Sequence, residues 1–292
     1  MIRQILAWIL AATVLASAQT PPRRFLLYLI PPAEGFNLRR DVLTRALLLT
    51  EDLGAGWTLV LPPFGPRFFG GTTTIAAAAR DCRFMLAPYA ALAPALTAMS
   101  ASSVLVDGLQ IGYWDGTYGG ARYWALRERM QFAAPLVREA DRFVASAFGG
   151  APYLAVHLRR GDFLATNRPH PSLDDVVAQV RAAQRRTGLT RLFVATDASD
   201  ADVAYLRARL TFTRYSPPAG LAMSDGGVAI LDQIVATRAA HFIGTEGSTF
   251  TRVIMEDREI AGRDPASTYD VLCKGDEKCP PSARFPRPTP AE

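Results

Sequence analysis

Polar residues with catalytic potential lie where predicted strands end and predicted helices begin. Glu34 follows one apolar strand, and His157 and Arg159 lie at the end of another. Ser248 and Thr249 begin a predicted helix, whose free N–H groups and dipole suit a phosphate. Arginine binds a diphosphate through bidentate hydrogen bonds. An acid, arginines and a phosphate-binding helix start together indicate group transfer from a nucleotide-linked sugar.

Asp232 is unusual because it falls in the apolar stripe of its predicted helix. Val228, Val235 and Ala236 surround it on a helical wheel. A carboxylate at such a position needs a partner, since burying it unpaired is costly. The partner is either a nearby arginine or helix N-terminus, which makes the residue structural, or the edge of a nucleobase such as guanine. The residues alone leave these two interpretations even.

Several other patterns are better explained by structure than by chemistry. Asp200-Ala-Asp202 has the spacing of a metal-binding pair, but the helix dipole favours Asp at a helix start. The cysteines and histidines show no paired zinc-ligand spacing. No Gly-x-Ser-x-Gly, P-loop or Gly-x-Gly-x-x-Gly sequence occurs, so hydrolase, triphosphatase and dinucleotide-binding functions lack support. Ser248 is assigned to helix capping rather than to nucleophilic catalysis.

Strands and helices alternate along the chain and position these residues. The predicted strands are 24–30, 58–61, 103–106, 153–158, 192–196 and 241–244. The predicted helices are 38–53, 122–148 with a bend near Pro135, 172–186, 200–210, from just after Gly226-Gly227 to 238, and 248–257. Asn37 is predicted to cap the first helix, and Ser172 to open a capping box. This alternation predicts an α/β fold of two Rossmann-like, doubly wound domains that face a cleft, with ligands beyond the strand carboxyl ends.

The predicted order along the chain is a signal peptide at 1–18, an N-terminal domain at 24–148, a C-terminal domain at 151–285 and a disordered tail at 286–292. The first segment has a cationic start, an apolar stretch of 11 residues and a small-x-small cleavage pattern. A signal anchor is the rival interpretation, but eleven helical residues span only about 16 Å, roughly half of a bilayer core. We therefore expect a soluble protein of the secretory-pathway lumen, in the endoplasmic reticulum, with no membrane span in the mature chain.

The composition of the 292-residue chain is that of a globular protein. Hydrophobic residues make up 49% and charged residues 20%, which excludes a wholly disordered chain. The net charge is +5, but the arginines are scattered among 27 acids without a basic stripe, so no nucleic-acid partner is expected. A lumenal location permits disulfides, and Cys273 and Cys279 are expected to bond, which leaves Cys82 as a buried free thiol.

Six motifs follow one another along the chain. They are Pro31-Pro-Ala-Glu-Gly-Phe-Asn-Leu-Arg-Arg-Asp41, Leu59-Val-Leu-Pro-Pro-Phe64, His157-Leu-Arg-Arg-Gly-Asp-Phe163, Asp225-Gly-Gly-Val-Ala-Ile-Leu-Asp-Gln233, Gly247-Ser-Thr-Phe250 and Glu256-Asp-Arg-Glu-Ile-Ala-Gly-Arg-Asp-Pro265. In these motifs and in their order, the chain resembles the protein O-fucosyltransferase family, in particular its members that act on thrombospondin type 1 repeats. The third motif resembles a GDP-fucose motif shared more widely among fucosyltransferases. The similarity covers most of residues 25–279.

The resemblance implies a GT-B fold and inverting transfer of fucose from GDP-fucose to a Ser or Thr hydroxyl of a folded acceptor repeat, with no metal or other cofactor. It implies that Glu34 is the catalytic base and that Arg159 stabilises the charge on the leaving diphosphate. It also implies that Asp232 binds guanine, which resolves the two interpretations of that residue. The remaining implied contacts with GDP-fucose are Gly35, Phe36 and Asn37 beside the base, His157, and Ser248, Thr249 and Phe250 at the phosphate end.

The chain departs from the family pattern at Ala33, which stands between Pro32 and Glu34 where the animal pattern runs Pro-Pro-Glu. This insertion could shift the base, and it bears on the identity of the acceptor more than on the identity of the donor. One alternative is a fucosyltransferase that uses an EGF-like repeat or a glycan as acceptor. The other is a lumenal GDP-sugar-binding protein without turnover.

Overall fold

A computed structural model describes residues 24–28, 36–60, 84–85, 94, 96–98, 103–106, 119–165 and 170–275. The chain forms two compact units that divide between Thr117 and Tyr118. Each unit has a four-stranded sheet whose described strand pairs are all parallel, which confirms the predicted α/β class. Among the helices of these described ranges, none is long and apolar enough to span a membrane.

The first unit is organised around a β-α-β unit. Its described elements are β1 (Arg24–Tyr28), α1 (Phe36–Leu53), β2 (Trp57–Val60), β3 (Phe84–Met85) and β4 (Ser103–Val106). The strand order is β2-β1-β4-β3, so β1 pairs with β2 on one side and with β4 on the other. The apolar face of α1 predicted from its spacing is buried, with Val42, Ala46 and Leu49 each at most 1% exposed.

The second unit holds the sheet that matters for the site. Its helices are α2 (Ala121–Arg129), α3 (Ala134–Phe148), α4 (Leu173–Thr187), α5 (Asp200–Arg207), α6 (Asp225–Arg238) and α7 (Thr249–Ile260). Its strands are β5 (Leu154–Leu158), β6 (Leu192–Thr196), β7 (His241–Thr245) and β8 (Asp270–Leu272), in the order β6-β5-β7-β8. Short 3-10 turns lie at Asp162–Ala165 and Pro265–Ser267.

Helices cover both faces of this second sheet, so its strands read as continuous apolar runs rather than as alternating ones. In β5, Leu154, Val156 and Leu158 pack with the apolar residues of α4 and α5. Tyr153 and Ala155 point to the opposite face, where they pack with α3, α6 and α7. Because side chains alternate along a strand, His157 also lies on the α7 side.

The boundary between the units differs from the one predicted at residues 148–151. Helices α2 and α3 belong to the second unit. The α2 side chains Tyr123 and Arg127 bond to Glu256 on α7, with a buried ion pair of 2.9 Å between Arg127 Nε and Glu256 Oε2. The α3 residues Ala140 and Phe148 lie in the core beneath α6. Sequence periodicity identified the helices but carried no signal for the sheet on which they pack.

Several predicted helix ends are also corrected. Residues 122–148 form two helices rather than one bent helix, and Pro135 lies in the first turn of the second. Helix α1 begins at Phe36, so Asn37 lies inside its first turn instead of capping it. Gly226 and Gly227 lie inside α6, which Ser224 caps through the N–H of Gly227. The capping box at Ser172 is confirmed.

Arg258 is fully buried and holds the carboxyl end of α6 against the turn at Pro265–Ser267. Its Nη1 donates to the carbonyls of Ala236, Thr237 and Ala239, with the shortest bond 2.7 Å, and its Nη2 donates to Ser267. The carbonyl of Ala236 also accepts from the N–H of Ala239 at 3.3 Å, and those of Thr237 and Ala239 lie where the helix ends and leaves its last C=O groups open. The buried charge lacks a carboxylate partner in the described part of the chain, and burial lowers the pKa of Arg258 to about 10.

We expect Arg258→Met to destabilise the protein strongly. The substitution fills much of the volume but leaves several buried carbonyls without a donor, and each such loss costs about 1–3 kcal/mol. The free energy of unfolding in urea should fall by about 3 kcal/mol or more. Arg263→Met is the matched control, because Arg263 is exposed and only its Nη2 reaches Arg238 O at 3.4 Å. Equal stability of the two variants would contradict the role of Arg258.

Candidate functional site

The candidate site lies beyond the carboxyl ends of β5 and β7. Strand β6 pairs with one side of β5, and β7, which comes later in the chain, pairs with the other side of β5. Such a switch in strand order opens a crevice between the two central loops, where ligands of doubly wound sheets bind. His157 and Arg159 are at the end of β5, and Ser248, Thr249 and Phe250 follow β7.

His157 is buried and held in one orientation. Its ring stacks on Phe250 with centroids 4.3 Å apart and an interplanar angle of 21°. Its Nδ1 lies 2.8 Å from Oγ1 of Thr251. Burial, with a smaller contribution from the charge of Arg159, lowers the pKa of His157 to about 3, so the ring is neutral at physiological pH.

Two threonines connect the ends of β5 and β7. Thr245 Oγ1 donates to the carbonyl of His157 at 2.8 Å and accepts from the N–H of Arg159 at 2.9 Å. Thr251 Oγ1 accepts from the N–H of Thr245 at 2.8 Å. The backbone at His157–Arg159 is therefore fixed by side chains from the neighbouring strand and helix.

Arg159 is held between two carboxylates. Its Nη1 lies 2.8 Å from Asp197 Oδ2, and its Nη2 lies 2.9 Å from Asp162 Oδ1. Asp197 directly follows β6 and also accepts from the N–H of Arg160 at 2.7 Å. This close approach depends on Gly161, where an added Cβ would lie 2.5 Å from Asp197 Oδ2. The guanidinium remains about one-third exposed, so it is oriented and still accessible to an anion.

Arg160 has a structural role and points elsewhere. Its Nε forms an ion pair of 2.8 Å with Asp202 in the first turn of α5. Asp200 and Asp202 thus lie at a helix start, as the helix-dipole interpretation predicted, and Asp202 in addition binds an arginine. Within the described ranges, no group of three or more His, Cys, Asp or Glu side chains is arranged to hold a metal ion.

Asp232 is a partly buried acid without a hydrogen-bond or ion-pair partner among the described residues. It lies on α6, which packs against α7. Burial raises the pKa of Asp232 from 3.8 to about 7, and the charge of Arg214 offsets only part of that rise. The Arg214 Nη2 donates to the carbonyl of Thr196 at 2.9 Å rather than to this carboxylate. Because the carboxylate has no partner among the described residues, the interpretation that Asp232 binds a ligand is favoured over the interpretation that it is structural.

The start of α7 presents backbone N–H groups towards the crevice. Ser248 is at the N-cap position and is buried, but its side chain makes no capping hydrogen bond, contrary to the predicted capping role. The helix has 12 residues and no acidic residue in its first turn. Its open N–H groups and dipole make this end suitable for a phosphate.

Part of the predicted site lies outside the described residues. Glu34, Gly35 and Cys279 are among these, as is the side chain of Phe36. Asn37 is buried in the first turn of α1. Cys273 is in a disulfide, and both other cysteines fall outside the described ranges, so the pairing with Cys279 stays a prediction.

Sequence reasoning missed Thr245 and Thr251, as well as a buried polar face on α1. That face is formed by Asn37, Arg40, Asp41, Thr44 and Arg45, each at most 8% exposed. Their spacing of three or four residues was a usable signal, because polar side chains rarely repeat on a buried helix face. The threonines carried no such signal, since their role depends on contacts between residues far apart in the chain.

Comparison with known proteins connects this geometry to a family. Residues 74–261 match the family model described as GDP-fucose protein O-fucosyltransferase. A human protein named GDP-fucose protein O-fucosyltransferase 2 is 30% identical, and the similarity covers 92% of this chain and 90% of that protein. The chain belongs to the GDP-fucose protein O-fucosyltransferase family. The family predicted from the motifs is therefore confirmed.

Other comparisons agree in sequence and in fold. A Drosophila melanogaster protein of the same name is 32% identical over 60% of this chain and 40% of its own length. A crystal structure of POFUT1 in complex with GDP has a TM-score of 0.56 and 16% identity, and it covers 87% of this chain and 99% of that one. This likeness is one of fold, and it supports the GT-B class predicted from the sequence.

Proposed function

We propose that the protein transfers fucose from GDP-fucose to a Ser or Thr hydroxyl of a folded, disulfide-rich repeat of the thrombospondin type 1 kind. The reaction inverts the configuration at the anomeric carbon, requires no metal and takes place in the secretory-pathway lumen. The observation that carries the donor assignment is the combination in the second unit of an arginine oriented at the end of β5, an open helix start after β7 and an acid on α6 without a partner among the described residues. These groups complement a diphosphate and a guanine base.

The guanine assignment rests on Asp232. Guanine presents N1–H and N2–H donors side by side, and a carboxylate can accept from both. Adenine and the pyrimidines do not present that pair of donors on one edge. A partly buried carboxylate that lacks a partner among the described residues gains from such a ligand. The relatives named for GDP-fucose support the same donor.

The proposed chemical step is a single displacement. Glu34 takes the proton from the acceptor hydroxyl, and the hydroxyl oxygen attacks the anomeric carbon of fucose on the face opposite GDP. The bond between that carbon and the diphosphate oxygen breaks, and its electrons leave with GDP. Arg159 binds the negative charge that develops on the diphosphate, and so provides the electrostatic stabilisation that a metal ion gives in other transferases.

We expect Asp232→Asn to have opposite effects on donor binding and on stability. It should weaken GDP binding about 10–100-fold, because a charged hydrogen-bond acceptor is lost. It should also raise the melting temperature of the ligand-free protein at pH 8. The acid has its pKa raised from 3.8 to about 7, so the folded protein loses stability as pH rises through this window, and Asn avoids that loss.

The pH dependence gives the same assignment a second test. Guanine binds the ionised carboxylate, so GDP affinity in the wild type should fall below pH 7 and Asp232→Asn should remove that dependence. Asp141→Asn is the control, because Asp141 is an exposed acid paired with Arg238 at the other end of α6. Unchanged GDP affinity in Asp232→Asn would assign the acid to structure alone.

The acceptor is tested by direct competition. Folded thrombospondin type 1 repeats, folded EGF-like repeats and free glycans are offered together with GDP-fucose, and fucosylation is measured by mass spectrometry. We expect modification of the thrombospondin type 1 repeat only when it is folded. Transfer to another acceptor would support the proposed donor site and assign the protein to a different acceptor class. Tight GDP binding without transfer or donor hydrolysis would instead identify a binding protein whose base is displaced by Ala33.

A further inference from the structure

His157 uses only one of its two ring nitrogens within the described structure. The Nδ1 atom lies 2.8 Å from Thr251 Oγ1, and stacking on Phe250 prevents the ring from turning away. The Nε2 atom forms no hydrogen bond with a described residue. Because a neutral imidazole carries one N–H, its chemistry depends on which nitrogen holds the hydrogen.

The hydroxyl of Thr251 decides between the two tautomers. A threonine hydroxyl has one hydrogen to donate and two lone pairs. One lone pair of Thr251 Oγ1 accepts the N–H of Thr245. Among the described residues, the Nδ1 atom of His157 is then the acceptor within reach of the hydroxyl hydrogen. The opposite tautomer would direct two N–H groups at this oxygen and leave the buried hydroxyl hydrogen unpaired.

We propose that Thr251 is a positioning residue that donates to Nδ1 of His157 and thereby fixes the Nε2–H tautomer. The consequence is an N–H donor on a largely buried ring at the end of β5, close to Arg159 and the start of α7. Such a donor suits an anionic oxygen of a nucleoside diphosphate sugar. The benefit for donor binding rests on the proposed function, whereas the tautomer itself is a property of the free protein.

The surroundings of Thr251 fit this role. Thr251 is 2% exposed and lies in the first turn of α7, packed against β7 at Gly244. A Cβ at Gly244 would come within 2.1 Å of Thr251 Cγ2, so a side chain there is excluded. The absence of a side chain at Gly244 lets α7 approach β7 closely enough for one hydroxyl to reach both Thr245 and His157. Burial and the nearby Arg159 keep the imidazole neutral, so the tautomer choice applies across physiological pH.

The tautomer can be measured directly in the ligand-free protein. The chain has three histidines, so imidazole ¹⁵N resonances of a protein labelled at histidine are few enough to assign with a His170→Ala variant and a His241→Gln variant. We expect the His157 ring to show a protonated Nε2 and an unprotonated Nδ1, without titration between pH 5 and pH 8. A protonated Nδ1 in the wild type would overturn the proposal, whatever the variants do.

Substitutions at Thr251 separate tautomer control from packing. Thr251→Val keeps the shape and removes the hydroxyl, so the Nε2–H signature should be lost and the Kd for GDP should rise about tenfold. Thr251→Ser restores the hydroxyl and should recover both the ¹⁵N pattern and GDP binding. Retention of the Nε2–H tautomer in Thr251→Val would overturn the proposal.

The outcomes also distinguish this proposal from the proposed function. If Thr251→Val changes the tautomer but wild-type protein binds GDP no better than UDP, the tautomer assignment holds and the donor assignment fails. If wild-type protein binds GDP selectively and the ring is protonated at Nδ1, the donor assignment holds and the tautomer assignment fails. Should Thr251→Val fail to fold, the wild-type ¹⁵N spectrum and the Thr251→Ser variant still decide the tautomer.

Discussion

Arg159→Ala should lower kcat for fucose transfer about 10²–10³-fold, with a much smaller change in the KM for GDP-fucose. In the proposed step the guanidinium meets a charge that grows as the diphosphate leaves, so its contribution should be greater in the transition state than in the bound donor. Other groups at the same edge, the start of α7 and Asp232, continue to bind the donor when Arg159 is removed.

The structure shows that Arg159 is already held in one orientation, as the proposed role requires. Asp197 and Asp162 hold the guanidinium at 2.8 and 2.9 Å, and the Arg159 N–H is fixed by Thr245. Its orientation is therefore set before the donor arrives. Preorganised charges of this kind account for most electrostatic catalysis, because the enzyme need not reorient them during the reaction.

The measurement is steady-state transfer with GDP-fucose and a folded acceptor repeat. Arg185→Ala is the matched control, since Arg185 is an exposed residue in the last turn of α4, on the helix layer across the sheet from α7. Arg159→Lys keeps the charge but not the bidentate geometry, and it should recover only part of the rate. Near-full turnover in Arg159→Ala would show that another group stabilises the leaving diphosphate.

Glu34→Gln should abolish most transfer while leaving GDP binding intact. Gln has nearly the same shape as Glu but cannot accept a proton, and loss of a general base lowers rates about 10²–10⁴-fold. The effect should fall on kcat, because the base acts on the acceptor and not on the nucleotide. Transfer is measured beside a GDP titration of the same variant, so that a folding defect is not mistaken for a catalytic one.

Glu51→Gln is the control for this substitution, because Glu51 is an exposed acid near the end of α1. Deleting Ala33 tests the same assignment from the other direction. If the insertion displaces the base, the deletion restores the Pro-Pro-Glu pattern and raises kcat. Normal transfer by Glu34→Gln would mean that the proton is taken by another group.

Much of this fold could be predicted from local sequence, for a physical reason. Residues Leu192–Thr196 and Ser103–Val106 are short apolar runs between polar segments, and the structure confirms both strands. The capping box at Ser172 satisfies helix N–H groups within four residues, so its signal is contained in the local sequence. Ligands of doubly wound sheets lie at strand carboxyl ends, which is why His157 and Arg159 could be selected.

The features that escaped prediction depend on contacts between distant residues. Arg127 and Glu256 are 129 positions apart, and their buried pair assigns α2 to the second unit. Thr251 and His157 are 94 positions apart, and only the packing of α7 on Gly244 brings them together. Such outcomes are decided by tertiary structure and not by local propensity.

Calorimetric titration of the protein with GDP, ADP and UDP, in the presence of a metal chelator, tests the central claim most directly. Repeating it at pH 6 in two buffers of different ionisation enthalpy also counts the protons released. The account predicts that GDP binds at least about tenfold more tightly than ADP or UDP. It also predicts that binding at pH 6 releases close to one proton more in the wild type than in Asp232→Asn, a difference that excludes the titration of the GDP phosphate common to both. Equal affinities for the three nucleotides would contradict the guanine site, and a chelator-induced loss of GDP binding would contradict a metal-independent donor site.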